Sequence, residues 1–174
     1  LHHGTGDPGR RWNAHLKQPC VMGKEIDRIA RQLEKAFEKR PWYGSSVMMI
    51  LSEIKTEEAG CRHGKAHSII ELVLHMTSWR IFVTKRLCGD YSFEISDENN
   101  FPKPGTWKAA LENLEKSQND LLMAIKNFPD DKLDELVPSK THKYTYYTLL
   151  HGIVQHDVYH LGQIAYIKKA LGAE

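Results

Sequence analysis

A chain of 174 residues with a formal net charge of +2 is long enough to bury one sizeable core and short for two domains. Residues 1–21 alone carry Arg10, Arg11 and Lys17 against Asp7, so the remainder is close to neutral and lacks the electrostatic driving force for nucleic-acid binding. No stretch approaches the roughly 18–20 uninterrupted apolar residues of a membrane span, and three cysteines without CxxC spacing, Cys20, Cys61 and Cys88, suit free thiols in a reducing, cytoplasmic setting.

Residues 1–22 hold His2, His3, several glycines and prolines and little apolar periodicity, which predicts a flexible or non-native leader, with the folded domain at 23–174. Ile26, Ile29, Ala30, Leu33 and Phe37 keep three-four spacing and predict an amphipathic helix over 24–39, closed before Pro41. Trp42 and Tyr43 sit in the following turn, as the rim of a pocket or a plug at one end of the fold. Val47, Ile50, Leu51 and Ile54 suggest one shorter helix ending near Glu57, and 60–65 reads as a loop.

A second long helix is expected over 68–87, with apolar residues nearly all round it, so it is either central or covered by a second subunit in a homodimer. Residues 89–105 contain Pro102, Pro104 and the polar run 96–100, which is expected to break helix. A third long helix follows over 106–128, stopped by Pro129, then at most one helical turn in 130–144. The fourth long helix covers 145–171. No alternating strand pattern competes, so the expected fold is all-α, a four-helix bundle. The linker of about 16 residues between the second and third long helices can span some 50 Å extended, against roughly 30 Å for a 20-residue helix, which permits a long parallel crossover.

On the fourth helix, Leu149, Ile153, His156, His160, Gln163 and Ile167 share one side at about 100° per residue, so two imidazoles interrupt an apolar stripe. Burying an unpaired polar group costs roughly 1–3 kcal/mol, and neutral imidazoles at i and i+4 converge on a single ion. A third ligand is needed. His75 is the best candidate, because it sits mid-helix beside Leu72, Trp79 and Phe82 and points inward. His151 lies about 140° from His156 around the helix and is not expected to ligate. His67 stands near the entrance of its helix, as a loop partner or at the mouth of a site. Glu71 is either an acceptor behind His75 or an exposed side chain, and Gln163 either bonds within the site or packs near Gly162. Cys61 and Cys88 have no assignable base and read as inert thiols.

The segment Ala66-His-Ser-Ile-Ile-Glu-Leu-Val-Leu-His-Met-Thr-Ser-Trp79, followed downstream by His156-Asp-Val-Tyr-His-Leu-Gly-Gln163, resembles the DinB/YfiT-like superfamily of metal-binding helical bundles. The resemblance covers about residue 23 to the C-terminus. It implies an up-down-down-up bundle in which His75, His156 and His160 hold a divalent metal, with waters completing the shell. It also implies chemistry of two kinds, transfer involving a low-molecular-weight thiol such as bacillithiol or mycothiol, or hydrolysis.

The resulting expectation is a metal-dependent enzyme acting on a small-molecule substrate, with zinc or nickel as the ion and open coordination positions for water or a thiol. The alternative is a non-catalytic, metal-stabilised dimeric bundle that binds a ligand or a protein. A further reading takes His156-Asp-Val-Tyr-His160 as the HExxH signature of zinc peptidases with Asp157 in place of the glutamate base. Aspartate is one methylene short for that role, and no edge strand is expected to receive a peptide.

Overall fold

Helix α1 (Glu25–Phe37) leads in the computed structural model, which describes residues 24–139 and 143–172. The expected leader therefore lies outside the described residues. Two short helices, α2 (Val47–Leu51) and α3 (Thr56–Ala59), precede the long α4 (Ile69–Leu87). A four-residue helix α5 (Asp97–Asn100) separates α4 from α6 (Trp107–Asn127), and a 3-10 turn (Asp130–Lys132) precedes α7 (Tyr146–Leu171). The fold is all-helical: among the described residues the only β pairing is an isolated antiparallel bridge between Leu136 and Thr145. No described helix is long and apolar enough to cross a membrane.

Each long helix starts where a polar group meets its free N–H groups. Thr106 Oγ1 accepts from the Ala109 N–H at 3.2 Å, and Thr145 Oγ1 from the Thr148 N–H at 3.2 Å. At α4 the Glu71 carboxylate accepts the Ser68 N–H at 2.8 Å. Helix α1 is capped from far along the chain, by Asp130 Oδ1 accepting the Ile26 N–H at 2.8 Å. Gly89 ends α4 with a φ of 78°, a conformation that costs a glycine little.

Three sequence expectations need correction. The apolar spacing over residues 47–57 suggested one helix, but the segment is two. Ser52 Oγ donates back to the Met49 carbonyl at 2.8 Å, and the Lys55 N–H turns to the Glu58 carboxylate at 3.0 Å, which restarts the helix. The polar run 96–100 was expected to break helix, yet it forms α5. There the Asn99 side chain accepts the Ser96 N–H at 2.8 Å and caps a single turn. Trp42 plugs nothing and stands fully exposed.

The apolar residues form two clusters. One gathers the end of α1 (Phe37), the first half of α4 (Ile69 to Met76), the start of α6 (Trp107, Ala110, Leu114) and the second half of α7 (Leu161, Ile164, Ile167). The other gathers the start of α1 (Ile26, Ile29, Leu33), the end of α4 (Phe82, Val83), the end of α6 (Leu121, Ile125) and the start of α7 (Leu149, Leu150, Ile153). Helix α4 packs on both α6 and α7, as does α1. The all-round apolar character of α4 is thus largely met inside the chain, with Ile81 left 38% exposed.

Between the clusters lies a polar layer. Arg80 on α4 follows Met76, Gln118 on α6 follows Leu114, and Asp157 on α7 follows Ile153. Arg80 and Asp157 have no exposed side-chain surface, and Arg80 Nη2 donates to Asp157 Oδ2 at 2.7 Å. Arg80 Nε donates to Gln118 Oε1 at 3.1 Å, and Nη1 to the Met76 carbonyl at 3.2 Å. The guanidinium also sits 5.2 Å from the Phe37 ring centroid.

Breaking such a pair leaves a buried charge alone, at a cost of about 3–5 kcal/mol, whereas replacing both partners by apolar groups is often neutral or better. Asp157→Leu should therefore lower stability by about that amount in urea denaturation, and Arg80→Met combined with Asp157→Leu should restore most of it. Equal losses in the single and double variants would exclude the pairing as the source.

Candidate metal centre

His75 on α4 and His156 and His160 on α7 meet at the side of the polar layer. His75 Nε2 lies 3.0 Å from His156 Nε2, and His160 Nε2 lies 3.1 Å from the same atom. His75 and His160 are buried, 6% and 7% exposed, and His156 is intermediate. These three form the one group of potential metal ligands found among the described residues. His151 stands elsewhere, its Nε2 3.8 Å from Glu25 Oε1 and its ring on Tyr147. Cys61 and Cys88 are exposed, and Cys61 Sγ donates to the Glu57 carbonyl.

The outer ring nitrogens decide which way the lone pairs point. His75 Nδ1 lies 2.8 Å from the Asn100 carbonyl oxygen, and His160 Nδ1 lies 2.7 Å from Gln163 Oε1. Both contacts require an N–H on Nδ1, so the Nε2 atoms of His75 and His160 present lone pairs. His156 Nε2 has a single site for a proton and satisfies at most one of them. Three nitrogens converging with fewer protons than they need is an arrangement completed by a cation. Two imidazole nitrogens at the roughly 2.0–2.1 Å of a zinc bond stand about 2.8–3.4 Å apart between octahedral and tetrahedral angles. The donor set therefore fits a divalent ion such as zinc or nickel.

Helix α5 holds His75 in place. Besides the Asn100 carbonyl on His75, Trp79 Nε1 donates to Asn100 Oδ1 at 3.2 Å, so one residue ties two side chains of α4. Phe101 lies flat between His75 and His67, with centroids 4.3 Å and 3.9 Å away. His67 is thus at the rim of the site, beyond Phe101. Neither Asn100 nor Phe101 was singled out in the sequence. Glu71 does not serve His75: it caps α4 at Ser68 and pairs with Arg62. Gln163, one of two open alternatives, is the acceptor for His160.

Asp157 stands apart from the three histidines. It points about 100° from His156 and 60° from His160 around α7, into the layer with Arg80, so it is no base beside the histidines. The peptidase reading loses its general base.

Burial pushes all three imidazoles below their ordinary value of 6.5, His156 to about 3 with the neighbouring His160, His75 and Arg80 adding to it. They are neutral and ready to ligate near neutral pH. Because the folded form resists protons that the unfolded chain accepts, their contribution falls as pH drops below about 6.5. Asp157, raised to about 6 by burial against the pull of Arg80, works in the opposite sense, one carboxyl against three imidazoles. The urea midpoint of the metal-free protein should accordingly fall on acidification from pH 6.5 toward 5. A His156→Leu variant should show a shallower fall, and an unchanged slope would contradict the assignment.

Comparison with curated proteins returned no match. Among solved structures, a DinB-like protein, YjoA from Bacillus subtilis, is similar in fold with a TM-score of 0.60 at 15% identity, over 82% of this chain and 91% of that one. A family model described as the DinB superfamily matches residues 45–164, which contain all three histidines and the α5 turn that supports them. The chain belongs to the DinB superfamily.

Proposed function

We propose that this protein binds one divalent ion, zinc or nickel, through His75, His156 and His160, and acts as a metal-dependent enzyme on a small molecule. The reaction is either transfer involving a low-molecular-weight thiol or hydrolysis. The observation that carries the reading is the convergence of three Nε2 atoms, two of them with their Nδ1 protons committed elsewhere. A bound divalent ion supplies Lewis-acid chemistry and lowers the pKa of a coordinated water or thiol.

The chain's own residues supply the rest. Asn100 and Gln163 set the tautomers of His75 and His160. Phe101 and Trp79 cover the imidazoles from two sides and limit water around them. With three protein ligands, positions stay open for substrate. As part of the same proposal, the four long helices run up-down-down-up. The sharing of one apolar cluster by the first halves of α4 and α6, the end of α1 and the second half of α7 supports that order.

Zinc titration of the metal-free protein should saturate at one equivalent and raise the melting temperature. At a free concentration of 100 times Kd the added stability is about 2.7 kcal/mol. His156→Ala with His160→Ala should abolish both effects, and tight one-to-one zinc binding by that double variant would sink the proposal.

Gln163→Leu removes an acceptor while keeping all three ligands. Zinc affinity should drop about 10–100-fold, read by competition with a chromogenic chelator.

A further inference from the structure

Two unlike cavities lie near the histidines, one lined by His156 and the other by Gln163, the acceptor for His160. One, of about 560 Å³, has His156 in its wall, and its other surfaces come mainly from Trp79, Phe82, Val83, Ile95, Leu149 and Ile153. That volume is within the usual range for small-molecule sites. The only charged side chain in its lining is Glu94, and Arg86, itself buried, already pairs with it at 2.8 Å. The other, of about 490 Å³, is bordered by Lys65, His67, Tyr159, Gln163 and Tyr166 and offers polar groups and a cation.

Gly152 is one of the residues that line the first cavity. It stands inside α7 between Leu149 and Ile153, where glycine costs about 1 kcal/mol relative to alanine. A Cβ built on it meets no atom within 4 Å. Packing in α7 therefore does not demand a glycine there, and the position, which lies in the lining of the cavity, has room for a side chain.

We propose that the cavity beside His156 binds a small molecule with an apolar tail and a single anionic head group that reaches the three histidines. Gly152 leaves the room for the tail. The assignment rests on the metal-binding reading for the head group, and on the cavity alone for the tail. Ser139, Tyr144, Thr148 and Glu94 give this lining a polar side, but Phe82, Val83, Leu149 and Ile153 offer no partner to the hydroxyls of a sugar derivative, so an alkyl or aryl tail is the chemistry that fits that stretch of wall.

The test is a series of straight-chain hydroxamates, from acetohydroxamate to octanohydroxamate, titrated calorimetrically into the zinc-loaded protein. Affinity should rise about fourfold for each added methylene until the cavity is filled. Gly152→Phe should flatten the series, read as the loss of the affinity gain per methylene. Gly162→Phe, beside the polar cavity and also free of contacts at Cβ, should keep the full rise. Acetohydroxamate binding without a rise along the series would overturn the tail site and leave the metal reading standing. A rise that survives Gly152→Phe would equally overturn the tail site, by placing the tail elsewhere. Failure of every hydroxamate, acetohydroxamate included, would overturn the head-group assignment and with it the open position on the metal. Circular dichroism of both glycine variants checks that they fold.

Discussion

The Arg80–Asp157 pair sets how α7 is rotated against α4. A fully buried carboxylate has to face its guanidinium, so Asp157 occupies the interior of α7 and its neighbours take what remains. His156 and His160 then lie toward the edge of the buried surface, next to His75. Turning α7 by one residue, about 100°, would bury an imidazole against Arg80 and leave the carboxylate facing apolar residues. The ion pair thus acts as a register device, and its energetic cost is reduced by the hydrogen bonds of Arg80 to Gln118 and to the Met76 carbonyl, while Asp157 Oδ1 is left without a protein partner.

The same layer separates the two apolar clusters, and this explains why a polar site survives so close to the core. Each long helix keeps its apolar residues above and below the layer, with small or polar groups such as Ser117, Gln118 and Thr77 near its level. The histidines sit beside this break in the apolar packing, with His156 in the wall of the 560 Å³ cavity. Support then comes from outside the long helices. Helix α5 reaches across with a carbonyl for His75, an amide for Trp79 and a ring between His75 and His67.

The long helices and the three histidines were legible in the sequence because periodicity and residue type carry them. Ile26 to Phe37 and Trp107 to Phe128 keep three-four spacing, and imidazoles on an apolar stripe are conspicuous. The supporting parts were not. The acceptor for His75 is a backbone carbonyl, which every residue possesses, so no side-chain pattern announces Asn100. The partner of Asp157 was not legible for a different reason. In the string HDVYH Asp157 stands where a peptidase base would, and only the tertiary position of Arg80 on α4 draws it to the other side. Over 96–100, alternation of Ser, Asp, Glu and Asn looked like a loop, although those are also the residues that cap a single helical turn.

Charge bookkeeping at the site constrains its chemistry further. The three imidazoles are neutral, Asp157 is balanced by Arg80, and Glu71 is balanced by Arg62 and turned to Ser68. No carboxylate among the described residues joins the ligand group. Under the proposed reading, an ion with these three ligands keeps its full double positive charge, in surroundings where Phe101 and Trp79 limit screening by water. An uncompensated dication favours an anionic ligand at its open positions, so a thiol or water bound there is driven toward its deprotonated form. A carboxylate ligand in place of any of the histidines would remove part of that drive. The all-imidazole donor set is therefore itself an argument for activation of a nucleophile over a purely structural ion.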